Sequence, residues 1–594
     1  MKLLLIIILV LIHHIAAQTP GFFASNGFGK IFNSSSRPNG EYFRGTTYIA
    51  YQGPHEDPYV VAYIHSTQKW IGPIKAGVNQ LGDLSNDQNK HDDHGKPAMV
   101  MSSDGYINIF YGGHGGCPEV EGISNIYGKG CGSGKLLHAR SLLPENIEQF
   151  EEPKSNVSPF GTYASTVKIY NGDIYLFYRH GTHVASWVYQ KSNNGGATFK
   201  DAVPVLKHKI YSDYADSWYG QFFTYQQDVD SVKRNVIGCS FIYHYHALGS
   251  AGDDHRIRRN AYFAEFHTDT REWKAIDGKV IESPITKTIA DQYLLVYESG
   301  NDIYDKSSGT YNIDGEPVLL FKPYPSPTSK VGPSLDIWKW EIVNKQWTGP
   351  ITLTYQTLQT AFFEKSPEKQ NRMRIIGSKG SAVSAFDSYD NGTTWEEQPD
   401  IMSSRYDKKL MNAEICNAHP DATEIIAEKL PKTNFWYLYL RGDNGIVPRE
   451  GSGEVAGLGC RDCWGENEFM DISSSPLEVC EDRKEFRFNN DSSLKCKKLK
   501  NKCNKWDKKG RLVKNHCPST CDFCQSKKRC SDDKKFVFDK KDDGKNKTSD
   551  KVKGSCAALG KEWCNKQDKF GRNVKEFCKG TCRFCNKLRK EYGY

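Results

Sequence analysis

Beyond its opening residues the chain has no apolar run long enough to span a bilayer, which takes about 20 residues, and this excludes a multispanning membrane protein. It has no long segment of 3.6-residue periodicity, which argues against a helical bundle as its main body. Cysteine is sparse over most of its length. Of 18 cysteines only Cys117, Cys131, Cys239, Cys416, Cys460 and Cys463 precede Leu477.

What is present begins with Met1-Lys2 and the run LLLIIILVLI, followed by small residues at Ala16-Ala17. This reads as a cleaved leader over residues 1–17, with a membrane anchor as the alternative, and predicts a secreted, extracellular protein. Sequons at Asn33, Asn156, Asn391, Asn490 and Asn546 suit that route and a glycoprotein. Charge is divided unevenly. Residues 480–594 hold 34 Lys and Arg against 16 Asp and Glu, a net of +18; the whole chain is +8, so the rest carries −10. A basic tail on an acidic body predicts attraction to an anionic matrix or cell surface, or else simply a solvated surface on small domains. No nucleic-acid partner is expected.

Residues 18–472 read as all-β. Short runs such as YVVAYIHS, KIYNGDIYLFYRH, RNVIGCSFIYHYH and NFWYLYLRGD recur between NG, DG and GG turns. About 450 residues of this kind exceed one sandwich and suit a β-propeller, with seven blades expected from length. A sandwich pair or a β-helix is the competing arrangement. Ser388-Tyr-Asp390-Asn-Gly392-Thr-Thr394-Trp395 fits the Asp-box pattern S-x-D-x-G-x-T-W; Ser192-Asn-Asn194-Gly-Gly196-Ala-Thr198-Phe199 fits with Asn and Phe substituted. Such a box is a structural hairpin turn: Asp or Asn caps turn amides and Gly takes positive φ.

The candidate site lies in His91–Gly116, HDDHGKPAMVMSSDGYINIFYGGHGG. A strand, a tight turn and a returning strand bring His94 and His114 to the same edge. The next hairpin, VKIY-NGD-IYLFY, does the same for Tyr163 and Arg179. His91, Asp92 and Asp93 read as turn-shaping residues. Cys117 and Cys131 bracket the glycine-rich loop that follows, where a disulfide would brace the rim. A second cluster, Cys239, Tyr243, His244, His246, His255, Arg258 and Arg259, offers two readings. Cys239, His244, His246 and His255 are weak zinc candidates without standard ligand spacing. Tyr243 and Arg259 are candidates for substrate binding.

After a linker at Ser473–Val479 come two modules, Cys480–Cys524 and Cys530–Cys585, both ending C-x13-C-x3-C-x2-C. Six cysteines in each leave too little apolar content for a core without cross-links. Spacing alone allows fifteen pairings per module. The repeat resembles the ShK-toxin (ShKT) domain. That resemblance implies Cys480–Cys524, Cys496–Cys517, Cys503–Cys521, Cys530–Cys585, Cys556–Cys578 and Cys564–Cys582, in an adhesion or stability module. Channel block is the minor alternative, with Lys569-Phe570 the matching pair.

H-x-x-H-G…DG-x-I-x-I-F-Y-G-G-H-G, then G-T-Y…Y-R-H, resembles the BNR-type propeller of secreted polysaccharide lyases, among them ulvan and rhamnose–glucuronate lyases. The match is densest over Lys90–Phe199 and fades after Tyr262. The resemblance implies β-elimination at a uronic acid of an acidic polysaccharide. Arg179 would neutralise the carboxylate. Tyr163 would serve as base or acid, beside a cation that favours its phenolate, and His94 and His114 would supply the complementary proton role. No cofactor is required by that chemistry, although a structural zinc or calcium ion is compatible with it. Two alternatives stay open: a glycan-binding propeller without catalysis, and a sialidase-like hydrolase, whose Arg-Ile-Pro signature is missing here.

Overall fold

The computed structural model describes residues 21–449 apart from 34, 82–91, 93, 116–133, 225–234, 248–257, 301–302, 325–333, 355–357, 359 and 367–371. The leader, Cys117, Cys131, His255, Cys460, Cys463, the linker and both cysteine modules lie outside the described residues. Among those described, strands dominate, joined by one α-helix, Lys287–Tyr293, and no helix is long and apolar enough to cross a membrane.

The strands form six sheets in a propeller-like, all-β arrangement, and within most of them the strand order follows the chain. One sheet is Ala98–Met101, Ile107–Tyr111, Leu137–Ser141 and Phe150–Glu151; the next is Gly161–Lys168, Ile174–His180, Trp187–Ser192 and Val203–Leu206. Each is an antiparallel meander, as the NG and DG turns predict. The nine-stranded sheet closes the ring. Ala24–Phe28 pairs with Phe435–Gly442, and Gly40–Phe43 runs parallel to Leu410–His419, so the earliest described strands are fastened to the last.

The core lies between sheets. One cluster joins Phe177 and Trp187 to Trp218, Phe241 and Tyr262 of the following sheet. Another joins Ala50 and Val60 to Met99 and Ile109. Strands such as Ile107–Tyr111 and Ile174–His180 are therefore buried at every position rather than alternating.

Both Asp boxes form the same turn. Asp390 Oδ1 accepts from the amides of Thr393 and Thr394, Gly392 takes φ 86°, and its amide donates to Ser388 Oγ. Asn194 Oδ1 accepts from the Thr198 amide, Gly196 takes φ 85°, and its amide donates to Ser192 Oγ.

The segment Ser35–Asn39 bonds to five of the six sheets. Ser35 accepts from Gln221, Arg37 pairs with Ser165 and donates to Ser308, Pro38 accepts from Met99, and Asn39 donates to Glu414. Arg37 and Lys365 meet the Glu414 carboxylate at 3.2 and 2.6 Å, all three nearly without exposure. Cys239 and Cys416 are free thiols, Cys239 inside the core and Cys416 beside Glu414.

Candidate active site

Adjacent hairpins from two neighbouring sheets build the site. Ala98–Met101 and Ile107–Tyr111 form the first, with His94 just before it and His114 just after. Gly161–Lys168 and Ile174–His180 form the second, carrying Tyr163 and Arg179. The two rims are stitched together by a bridge between His114 and Thr162. Gly113 permits this approach, since a Cβ there would lie 2.0 Å from the Gly161 carbonyl oxygen.

The imidazoles of His94 and His114 are stacked, with centroids 3.5 Å apart and planes within 10°. Asp92 bridges their Nδ1 edges. Its Oδ1 accepts from His94 Nδ1 at 2.6 Å and the His94 amide at 2.8 Å, and its Oδ2 accepts from His114 Nδ1 at 2.7 Å. Burial acts to raise the Asp92 carboxyl, but the two imidazoles outweigh it and hold the group far below the usual carboxylate range. Behind the turn, the fully buried Lys96 ammonium donates to the Asp92 carbonyl and to Gln52 Oε1. Asp92 therefore does more than shape a turn.

Tyr163 lies 5.1 Å from His94, centroid to centroid. It has φ 61° at a break in register between Thr162 and Ser165, where one strand bulges against its partner. Bulges of this kind re-aim a side chain, and here the ring is turned to His94 on one side and Arg179 on the other. The Arg179 guanidinium sits 5.0 Å from the Tyr163 ring centre and 5.6 Å from that of Tyr219. All three of its nitrogens are sealed from solvent and lack a hydrogen-bond partner. A buried cation left in that condition is costly unless an anion meets it.

His244 stacks on Tyr219 at 5.5 Å, and the Arg258 guanidinium lies 4.3 Å from the Tyr219 ring centre. Burial, reinforced by Arg258, pushes the His244 imidazolium well below its ordinary range, so the ring is neutral, and neither of its nitrogens is paired.

The structure thus brings His94, His114, Tyr163 and Arg179 into one cluster, and adds Asp92, Tyr219, His244 and Arg258. It does not bring in Tyr243 or Arg259. Tyr243 stands opposite Arg259 in register, and His244 opposite Arg258, so the two pairs project from opposite faces of the sheet. Tyr243 packs against Trp218 in the core and donates to Asp216 at 2.8 Å. Cys239 stands apart from the other described zinc candidates. Cys239 is five residues of strand from His244, roughly 16 Å and on the other face, and is buried among apolar side chains.

Among the described residues, the ligand atoms that converge closely enough for an ion are those of Asp92, His94 and His114, all within 4.8 Å. Their 2.6 and 2.7 Å contacts are hydrogen-bond lengths. Donors around a zinc ion, each at roughly 2.0–2.1 Å in a tetrahedron, would stand further apart, at roughly 3.3 Å.

Residues 46–350 match the BNR repeat-containing family. An ulvan lyase of Nonlabens ulvanivorans is 35% identical over 447 residues, covering 72% of this chain and 90% of that protein. An ulvan lyase (PL25) of Pseudoalteromonas sp. (strain PLSV) is 35% identical over 439 residues, covering 72% and 87%. A solved PL25 ulvan lyase superposes with a TM-score of 0.64 at 33% identity, covering 72% of this chain and 97% of that one. The likeness extends well past the densest stretch at Lys90–Phe199. Neither the hydrolase nor the non-catalytic alternative draws support from these relatives. The chain belongs to the BNR repeat-containing family, as a polysaccharide lyase of the ulvan lyase kind.

Proposed function

We propose that this lyase cleaves a glucuronate-bearing, ulvan-type polysaccharide at the cluster of His94, His114, Tyr163 and Arg179. A base takes the proton from C5 of the uronate, the electron pair becomes the C4–C5 double bond, and the C4–O4 bond breaks. The departing oxygen takes a proton from an acid, and no water is added. The observation that carries this reading is the unpaired guanidinium of Arg179 beside a phenol and two imidazoles. A permanent positive charge there stabilises both the substrate carboxylate and the enolate-like charge that develops. Tyr163 and the Nε2 edge of the histidine pair divide the base and acid roles, in an order set by the sugar's stereochemistry. His244 and Arg258 extend the anion-binding wall. The reading needs no metal.

The substrate class is supported by the ulvan lyase relatives and by a solved PL25 ulvan lyase bound to -[GlcA(1-4)Rha3S]-. Counting the two four-strand runs of the nine-stranded sheet separately supports a seven-bladed scaffold. The apolar leader supports secretion, and the basic cysteine-rich tail would hold the enzyme at an anionic surface. The test is digestion of uronate polysaccharides with a metal chelator present, followed by the ultraviolet absorbance of the unsaturated uronate end. The expected trace rises on a glucuronate polymer. A flat trace on every such polymer, with folded protein, overturns the reading.

A further inference from the structure

We propose that Asp92 is a positioning residue that fixes the tautomer of both site histidines at once, so that each presents an unprotonated Nε2 to the substrate while neutral. The proposal deepens the lyase reading and rests on it for its kinetic consequence alone.

An ionised carboxylate can only accept hydrogen bonds. Asp92 receives His94 Nδ1 on one oxygen and His114 Nδ1 on the other, at 2.6 and 2.7 Å. Each Nδ1 must therefore carry the proton, which leaves the lone pair of each neutral ring on Nε2. The parallel stack at 3.5 Å sets both rings in the same orientation. One carboxylate thus does for two imidazoles what the aspartate of a Ser-His-Asp triad does for one.

The carboxylate is itself held. Its own residue's carbonyl takes a hydrogen bond from the buried Lys96 ammonium, and Oδ1 also accepts the His94 amide. Among the described residues, Tyr163 lies 5.1 Å from His94, with Arg179 beyond it. Two imidazolium rings in contact would repel, and one carboxylate offsets only one positive charge.

Asp92→Asn separates this from a merely structural role. A carboxamide has one accepting oxygen and an NH2 that donates, so only one of the two Nδ1–H groups keeps its partner. The other ring is driven to the Nε2–H tautomer and loses its lone pair towards the substrate. In the full chain, Asp92→Asn is expected to lower kcat about 100-fold or more while KM stays within about threefold, and to shift the acid limb of the pH–rate profile. A kcat within about threefold of wild type overturns the proposal. Should the variant fold poorly, the wild type decides. Nitrogen-15 NMR of ring-labelled histidine, assigned with His94→Gln and His114→Gln, is expected to show both rings protonated at Nδ1 when neutral. Either ring found as Nε2–H overturns it. Because that spectrum needs no substrate, intact tautomers in a protein inactive on every uronate polymer would sink the lyase reading and leave this one standing.

Discussion

A tyrosine at φ 61° within a strand costs about 1–3 kcal/mol, a conformation glycine would take freely. The Tyr163 ring spans the gap between His94 and Arg179, so the strain aims a reactive group. Tyr163→Phe keeps the ring, the stacking and the backbone and removes one hydroxyl. It is expected to lower kcat by about 100- to 10,000-fold with an unchanged melting temperature. Activity within about threefold of wild type would deny the phenol any proton role. At this scale the four residues of the cluster were legible because two hairpins, each with an unambiguous turn, return the chain to one rim. Asp92 was not. An aspartate three residues before a glycine looks like a turn-capping group, and that it bridges two imidazoles depends on His114, which lies 22 residues away.

The elements explain why the second cluster was misread. The run SFIYHYH is plainly a strand, and it pairs with Arg258–His267. Which side chains face the site depends on register, and Asn260 (φ 57°) bulges out between Arg259 and Ala261, moving the partner by one residue. Tyr243 with Arg259 and His244 with Arg258 then occupy opposite faces, a distinction that alternation alone cannot assign. Arg258→Ala removes a cation packed on Tyr219 and is expected to reduce kcat/KM about 10-fold or more, the loss for one charge contact to an anionic substrate. Arg259→Ala is expected to stay within about twofold. The reverse ranking, measured on the same polysaccharide, would show that the faces are exchanged. The Asp boxes, by contrast, were fully readable, since the bonds that close the turn itself span at most four residues.

For the whole molecule, the propeller class followed from short strands and turn signals, but ring closure joins residues more than 400 apart and the centre joins residues 377 apart, which leaves no local signal. Arg37, Lys365 and Glu414 hold that centre. Burial acts to raise the Glu414 carboxyl, yet Lys365 and Arg37 prevail and keep it below its ordinary range. A depressed folded-state value means that the group stabilises the fold above the unfolded value near 4.5 and that this contribution is lost as pH falls through the folded value. Glu414→Gln leaves two buried cations facing a neutral amide and is expected to cost about 3–5 kcal/mol in denaturant unfolding. It is also expected to flatten the fall of melting temperature with acidification below about pH 4.5. A cost below about 1 kcal/mol would mean that water or another anion screens the centre. The central claim, elimination at a uronate by an unpaired guanidinium, a phenol and an imidazole pair, is tested most directly by weighing the ends that the enzyme releases from a glucuronate polymer in oxygen-18 water. Fragments whose masses sum to that of the intact chain, with no labelled water added at cleavage and one unsaturated end per cleavage, are the predicted result. Fragments heavier by one labelled water per cleavage would contradict it.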